Sequence, residues 1–219
     1  MKEAGRKPRA FALLPHTLPR RLTDPVALAV AKTGLTPNMV SVLGFVGALG
    51  AAVLVARGEF LAGGIVMLVA AALDLLDGAL ARATGRVTAF GGVFDSTLDR
   101  LSESAVLGGL LFHFSQGGHR QELILVFVVL AGSLMVSYLR ARAQVAGIDL
   151  REGLFTRPER VILLALGLII DQTRIILWIL AVLTHFTALQ RLFAVWRRLG
   201  EAESAATDDE PVGPGSQPP

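Results

Sequence analysis

Four aspartates, Asp74, Asp77, Asp95 and Asp99, lie close together in a chain that is 53% hydrophobic and only 18% charged. Read as helix at about 100° per residue, Asp74, Asp77, Gly78, Ala81 and Arg82 share one face. On the next apolar stretch Gly91, Asp95, Asp99 and Glu103 recur every four residues, again along one face. Two antiparallel helices joined by a short turn would bring these faces together and gather four carboxylates around one small volume. Like charges that close cannot all stay ionised without compensation. Divalent cations supply it, and oxygen-only donors select Mg²⁺, Mn²⁺ or Ca²⁺. Carboxylate-bound ions stabilise the charge that develops in phosphoryl transfer, and Arg82 would pair with a phosphate. One intramembrane aspartate commonly serves as the structural partner of an arginine. Four on two matched faces, with small residues beside them, point to chemistry.

The elements that must position these side chains are apolar helices. A mean hydropathy of +0.57 over 219 residues is that of an integral membrane protein, and the length suffices for six helices of about 20 residues. The first stretch starts with Thr36 as N-cap and Pro37 at N1, and Gly58 follows its end. The second runs from Phe60 past Ala81. The third starts near Gly92 and stops at Gly117-Gly118. The fourth ends at Gly147, a C-cap residue. The fifth begins at Pro158, and a short polar turn at Asp171-Gln172 separates it from the sixth. Residues 20–33 are too short to span and have charged ends, which fits an amphipathic helix lying at the membrane surface. Residues 1–19 read as a flexible basic segment with no continuous apolar core, hence no signal peptide. Residues 199–219 read as a disordered tail, and 20–198 as one membrane domain.

Of 21 lysines and arginines, only Arg57, Arg120 and Arg174 fall in the connections after helices 1, 3 and 5. The remaining basic residues fall at the N-terminus, after helices 2 and 4, and at the end of helix 6. That asymmetry places both termini and the aspartates on the cytoplasmic side of the cell membrane. A net charge of +3 reports topology here, not a nucleic-acid partner. The chain has no cysteine, so disulfides and thiolate metal sites are excluded. No two of the four histidines have ligand spacing, and Trp178 and Trp196 read as interfacial anchors. Gly44, Gly47, Ala48 and Ala51 give helix 1 a face for close packing.

The stretch D-x2-D-G-x2-A-R-x8-G-x3-D-x3-D, with Asp74, Asp77, Gly78, Ala81, Arg82, Gly91, Asp95 and Asp99 at its fixed positions, resembles the signature of the CDP-alcohol phosphotransferase family. The resemblance covers roughly residues 20–198 and implies six helices, a homodimer and attack of an alcohol hydroxyl on the β-phosphorus of a CDP-linked lipid, with CMP leaving. By that resemblance Asp74, Asp77, Asp95 and Asp99 hold metal, two Mg²⁺ or Mn²⁺ ions, and Asp99 is also the general base. Asn38 of the Thr36–Asn38 "TPN" sequence lies near the nucleotide. Gly78 and Ala81 admit the cytidine beside Asp77, and Arg82 meets the diphosphate of CDP-diacylglycerol.

The second substrate is read from arginines at helix ends. Arg142, Arg151, Arg197 and Arg198 are explained by topology. Arg140, Arg157, Arg160 and Arg191 sit where they can converge on a cytoplasmic cavity, and guanidinium forks bind phosphate oxygens bidentately. Within the family the pattern "SY-(basic)-ARA…RPER…QRL…VW" is similar to phosphatidylinositol-phosphate synthases. That similarity implies inositol 1-phosphate as acceptor, cradled by Arg140, Arg157 and Arg191. Arg140 stands where the family commonly has Lys. Glycerol 3-phosphate, the acceptor of phosphatidylglycerophosphate synthase, is the alternative. A multi-pass divalent cation transporter is the alternative of another class, although its site would normally lie at the midplane in broken helices.

Overall fold

The computed structural model describes residues 25, 27, 29–150, 153 and 155–208, with the backbone alone for 202–208. Among the described residues six helices follow one another, all but the fifth of 20 residues or more: α1 Pro37–Ala56, α2 Phe60–Ala83, α3 Ala89–Gln116, α4 Arg120–Val145, α5 Arg157–Ile169 and α6 Thr173–Asp208. No strand occurs among the described residues. The expected surface helix over 20–33 is described only towards its end, where residues 29–31 are helical and Ala27 is buried. Residues 1–19, Arg151 and residues 209–219 lie outside the described residues. The backbone of α6 continues through Gly200 to Asp208, into the stretch read as tail.

Helix ends follow local chemistry. Thr36 caps α1 by accepting a hydrogen bond from the Met39 amide at 3.3 Å, and Pro37 needs no partner at N1. Thr88 caps α3, accepting from the Gly91 amide at 2.9 Å. Between the two motif helices, Gly85 adopts φ +67°, and the Arg86 amide then reaches back to the Ala81 carbonyl at 2.9 Å. At the turn between α5 and α6 that conformation falls to Asp171 at φ 56°, a residue whose short polar side chain tolerates it.

Four helices are long and apolar enough to cross a bilayer: α1, α2, α4 and, in α6, Thr173–Glu201. The expectation of six such helices is met in part. With 13 residues, α5 extends only about 20 Å, against a hydrocarbon core of about 30 Å. α3 has the length, but Asp95, Asp99, Arg100 and Glu103 crowd the stretch from its second turn to its middle.

α1 packs most extensively against α2 and α3, α4 against α6, and α5 against α2 and α6. The small-residue face of α1 makes its contact within the molecule. A Cβ on Gly47 would lie 3.1 Å from the Ala70 Cβ, and one on Gly44 would lie 3.3 Å from the Ala70 carbonyl oxygen. α3 packs against a neighbouring flank of α1, with Gly109 against the Ala52 carbonyl. The core gathers Ala51, Val55, Met67, Val106, Leu107, Leu110, Val129, Leu164, Leu168 and Leu177 from all six helices. Outward faces carry large apolar side chains, including Val46, Leu49 and Val53 on α1 and Trp178, Val182, Phe186 and Trp196 on α6. Such a surface suits lipid, not water.

Candidate active site

Because α2 ends and α3 begins at the same end of the bundle, Asp74 and Asp77 near the close of one helix approach Asp95 and Asp99 near the start of the other. One carboxylate oxygen each of Asp74, Asp95 and Asp99 lies within 4.8 Å of the others. Oxygens on opposite sides of an ion bonded at about 2.1–2.5 Å are about 4–5 Å apart, so this trio fits a single ion. An all-carboxylate donor set suits Mg²⁺ or Mn²⁺ over softer metals.

Asp77 is placed differently from the other three. It is buried, and its Oδ2 accepts a hydrogen bond from the Ser41 hydroxyl of α1. With Asn38, Gly78, Ala81, Arg82, Gly91 and Asp95 it lines a cavity of about 280 Å³. A Cβ on Gly91 would fall 2.9 Å from the Thr88 hydroxyl and 3.5 Å from the Asn38 side-chain oxygen. Glycine there leaves Asn38 its place at the cavity wall. All of the residues the sequence suggested for the nucleotide side are therefore neighbours.

A second, larger cavity of about 900 Å³ opens on the other side of the carboxylates. Asp95 and Asp99 form one wall, and Arg100 joins the four arginines singled out in the sequence, Arg140, Arg157, Arg160 and Arg191, as its basic groups. Asp95 belongs to both cavities. The four arginines are not equivalent. Arg140 is exposed to the cavity. Arg157 bonds to Asp74 and lies 2.6 Å from Asp99 Oδ1. Arg191 is buried and donates to the Val136 carbonyl at 2.6 Å, and the backbone of Gly153 lies against its guanidinium. Arg160 is held bidentately by Glu103, at 2.7 and 2.8 Å.

Sequence reasoning missed Ser41, although it stands three residues after Asn38 on the same face of α1. It also missed the Glu103–Arg160 pair and the Ser133 hydroxyl that donates to Glu103 at 2.7 Å. Two of the histidines pack: His113 meets the Phe60 ring edge-on at 4.8 Å, and His185 Nδ1 lies 2.9 Å from the Ala181 carbonyl.

The apolar helical bundle holds its carboxylates between two cavities that charged side chains line, and the chain belongs to the CDP-alcohol phosphatidyltransferase family, which matches residues 34–190. It is a transferase by that membership, not a cation transporter. Archaetidylinositol phosphate synthase of Pyrococcus horikoshii is 38% identical over 180 residues, covering 80% of this chain and 90% of that protein. Phosphatidylinositol phosphate synthase of Mycobacterium tuberculosis is 36% identical over 200 residues, covering 85% and 91%. The crystal structure of the M. tuberculosis enzyme with CDP-DAG bound superimposes with a TM-score of 0.75 at 35% identity, over 80% of this chain and 94% of that one. The same enzyme in complex with manganese and citrate superimposes with a TM-score of 0.73, over 80% and 88%.

Proposed function

We propose that the protein transfers the phosphatidyl group of CDP-diacylglycerol to a phosphorylated polyol, inositol 1-phosphate, and releases CMP. The observation that carries this reading is the position of Asp95 in the wall shared by two cavities, one with Asn38 and Arg82, the other rich in arginine. The names of the relatives support the acceptor.

Asn38, Gly78, Ala81 and Arg82 would seat the cytidine diphosphate beside Asp77, with the acyl chains among the apolar helices. Arg140, Arg157 and Arg191 would hold the acceptor's phosphate, leaving a ring hydroxyl towards Asp99. Asp99 takes the proton as the hydroxyl oxygen bonds to the β-phosphorus. The bond from that phosphorus to the bridging oxygen breaks, and CMP carries away the electron pair. Divalent ions, one at Asp74, Asp95 and Asp99 and a second shared with Asp77, would supply positive charge to the diphosphate. Both termini and the carboxylates would then face the cytoplasm, and α3 and α5 would complete six crossings in each subunit of a homodimer, the bilayer thinning around the 13-residue α5.

Purified protein with CDP-diacylglycerol and Mg²⁺ should release CMP when inositol 1-phosphate is added, and not with inositol or serine. Faster release with glycerol 3-phosphate would change the acceptor and keep the transferase. No release with any of the four would refute the reading.

A further inference from the structure

Beneath the arginine-lined cavity, three buried polar side chains from three helices close on one another. Glu103 of α3 receives the Arg160 guanidinium of α5 through both oxygens, at 2.7 and 2.8 Å, and accepts from the Ser133 hydroxyl of α4 at 2.7 Å. Glu103, Arg160 and Ser133 are all buried. Stability does not account for such a group, because a buried ion pair replaced by apolar side chains of similar volume is often neutral or stabilising. Ionisable residues at membrane depth generally serve function.

Their register shows what they can do. Glu103 stands one helical turn below Asp99, and Arg160 stands one turn below Arg157. The triad is thus a floor one turn, about 5.4 Å, beneath the groups that face the acceptor. Glu103 and Arg160 both line that cavity. Arg160 is a further guanidinium on the acceptor's side, and Glu103 takes two of its five N–H donors, Nε and one on Nη2, and balances its charge.

We propose that Glu103 is a positioning residue that keeps Arg160 from the acceptor's phosphate, so that the phosphate stays in the upper arginines and the hydroxyl stays at Asp99. This rests on the acceptor being a phosphorylated alcohol, as read above. With the guard removed, Arg160 draws the phosphate a turn too deep, where the alcohol binds tightly but its hydroxyl misses Asp99. Unproductive binding lowers kcat and KM together, whereas a loosened scaffold lowers kcat and raises KM.

The test is steady-state kinetics of E103Q and of E103Q/R160M in the full-length enzyme, with CDP-diacylglycerol and inositol 1-phosphate. E103Q keeps the side chain's shape and removes its charge. In E103Q, kcat and the acceptor KM should fall together by at least about tenfold, with the KM for CDP-diacylglycerol unchanged. E103Q/R160M, which has no released arginine, should recover both constants. An acceptor KM that rises or stays constant in E103Q would overturn the proposal. So would failure of the double variant to recover while it melts at the wild-type temperature. If E103Q does not fold, the double variant decides: near wild-type constants support the guard, and their loss refutes it. A wild type that releases no CMP with any phosphorylated alcohol refutes the acceptor reading instead, a separate result.

Discussion

Arg157 should compete with the divalent ion. Its Nη1 bonds to Asp74 and lies 2.6 Å from Asp99, and these are two of the three carboxylates that could hold a metal. One guanidinium nitrogen therefore stands where an ion would draw on both. The side chains keep some exposure, 26% for Arg157, 11% for Asp74 and 17% for Asp99, so solvent weakens these bonds. A hydrogen bond between charged groups contributes about 1.5–3 kcal/mol. The hydrogen bond to Asp74 and the ion pair with Asp99 are both broken when the arginine leaves, and new contacts to the cavity and to water recover part of that. A net cost of about 1.4 kcal/mol corresponds to about a tenfold weakening of metal binding.

In detergent-solubilised protein without substrates, R157A should bind Mn²⁺ about tenfold more tightly than wild type, read as loss of the free-ion electron paramagnetic resonance signal. R140A removes the same charge from the same cavity without a carboxylate contact, and it should change the affinity far less. Inorganic phosphate, by drawing Arg157 away, should tighten Mn²⁺ binding in wild type and have no such effect in R157A. Reciprocity requires Mn²⁺ to tighten phosphate by the same factor. Equal or weaker Mn²⁺ binding in R157A would show that the arginine supports the carboxylates instead of competing for them. A response of R140A as large as that of R157A would reduce the effect to general charge.

Two further outcomes follow from the geometry. Asp99→Asn should lower CMP release by about 10²–10⁴-fold, the usual contribution of a general base, while thermal-shift titration shows CDP-diacylglycerol binding retained; substantial residual turnover would move the base elsewhere. Gly109→Ala drives a methyl into the Ala52 carbonyl where α3 crosses α1, and should destabilise by about 1–3 kcal/mol, seen as a lower melting temperature in detergent; an unchanged melt would mean that the crossing can widen freely.

The carboxylate motif was legible in the sequence because helical periodicity is a local property. Asp74, Asp77, Asp95 and Asp99 could be placed on two faces from spacing alone, and the caps at Thr36 and the stop at Gly147 followed from backbone chemistry of single residues. What spacing cannot resolve is rotation within a face. Residues three apart on a helix are displaced about 60° one way and residues four apart about 40° the other. That difference separates Asp77, which turns towards Ser41 and the smaller cavity, from Asp74, which joins Asp95 and Asp99. Partnerships between distant segments were equally hidden. Glu103 and Arg160 are 57 residues apart, and nothing local to either names the other. The short α5 was read as a spanning stretch because its sequence is apolar, yet its importance lies in its first turn, which supplies Arg157 and Arg160 to the cavity. The glycines of α1 connect these levels: Gly44 brings α2 close enough that a Cβ there would sit 3.8 Å from the Cβ of Asp74. A residue with no functional group thereby helps set where a carboxylate stands, so a bulkier side chain at position 44 would displace Asp74 from Asp95 and Asp99 with no change to the motif.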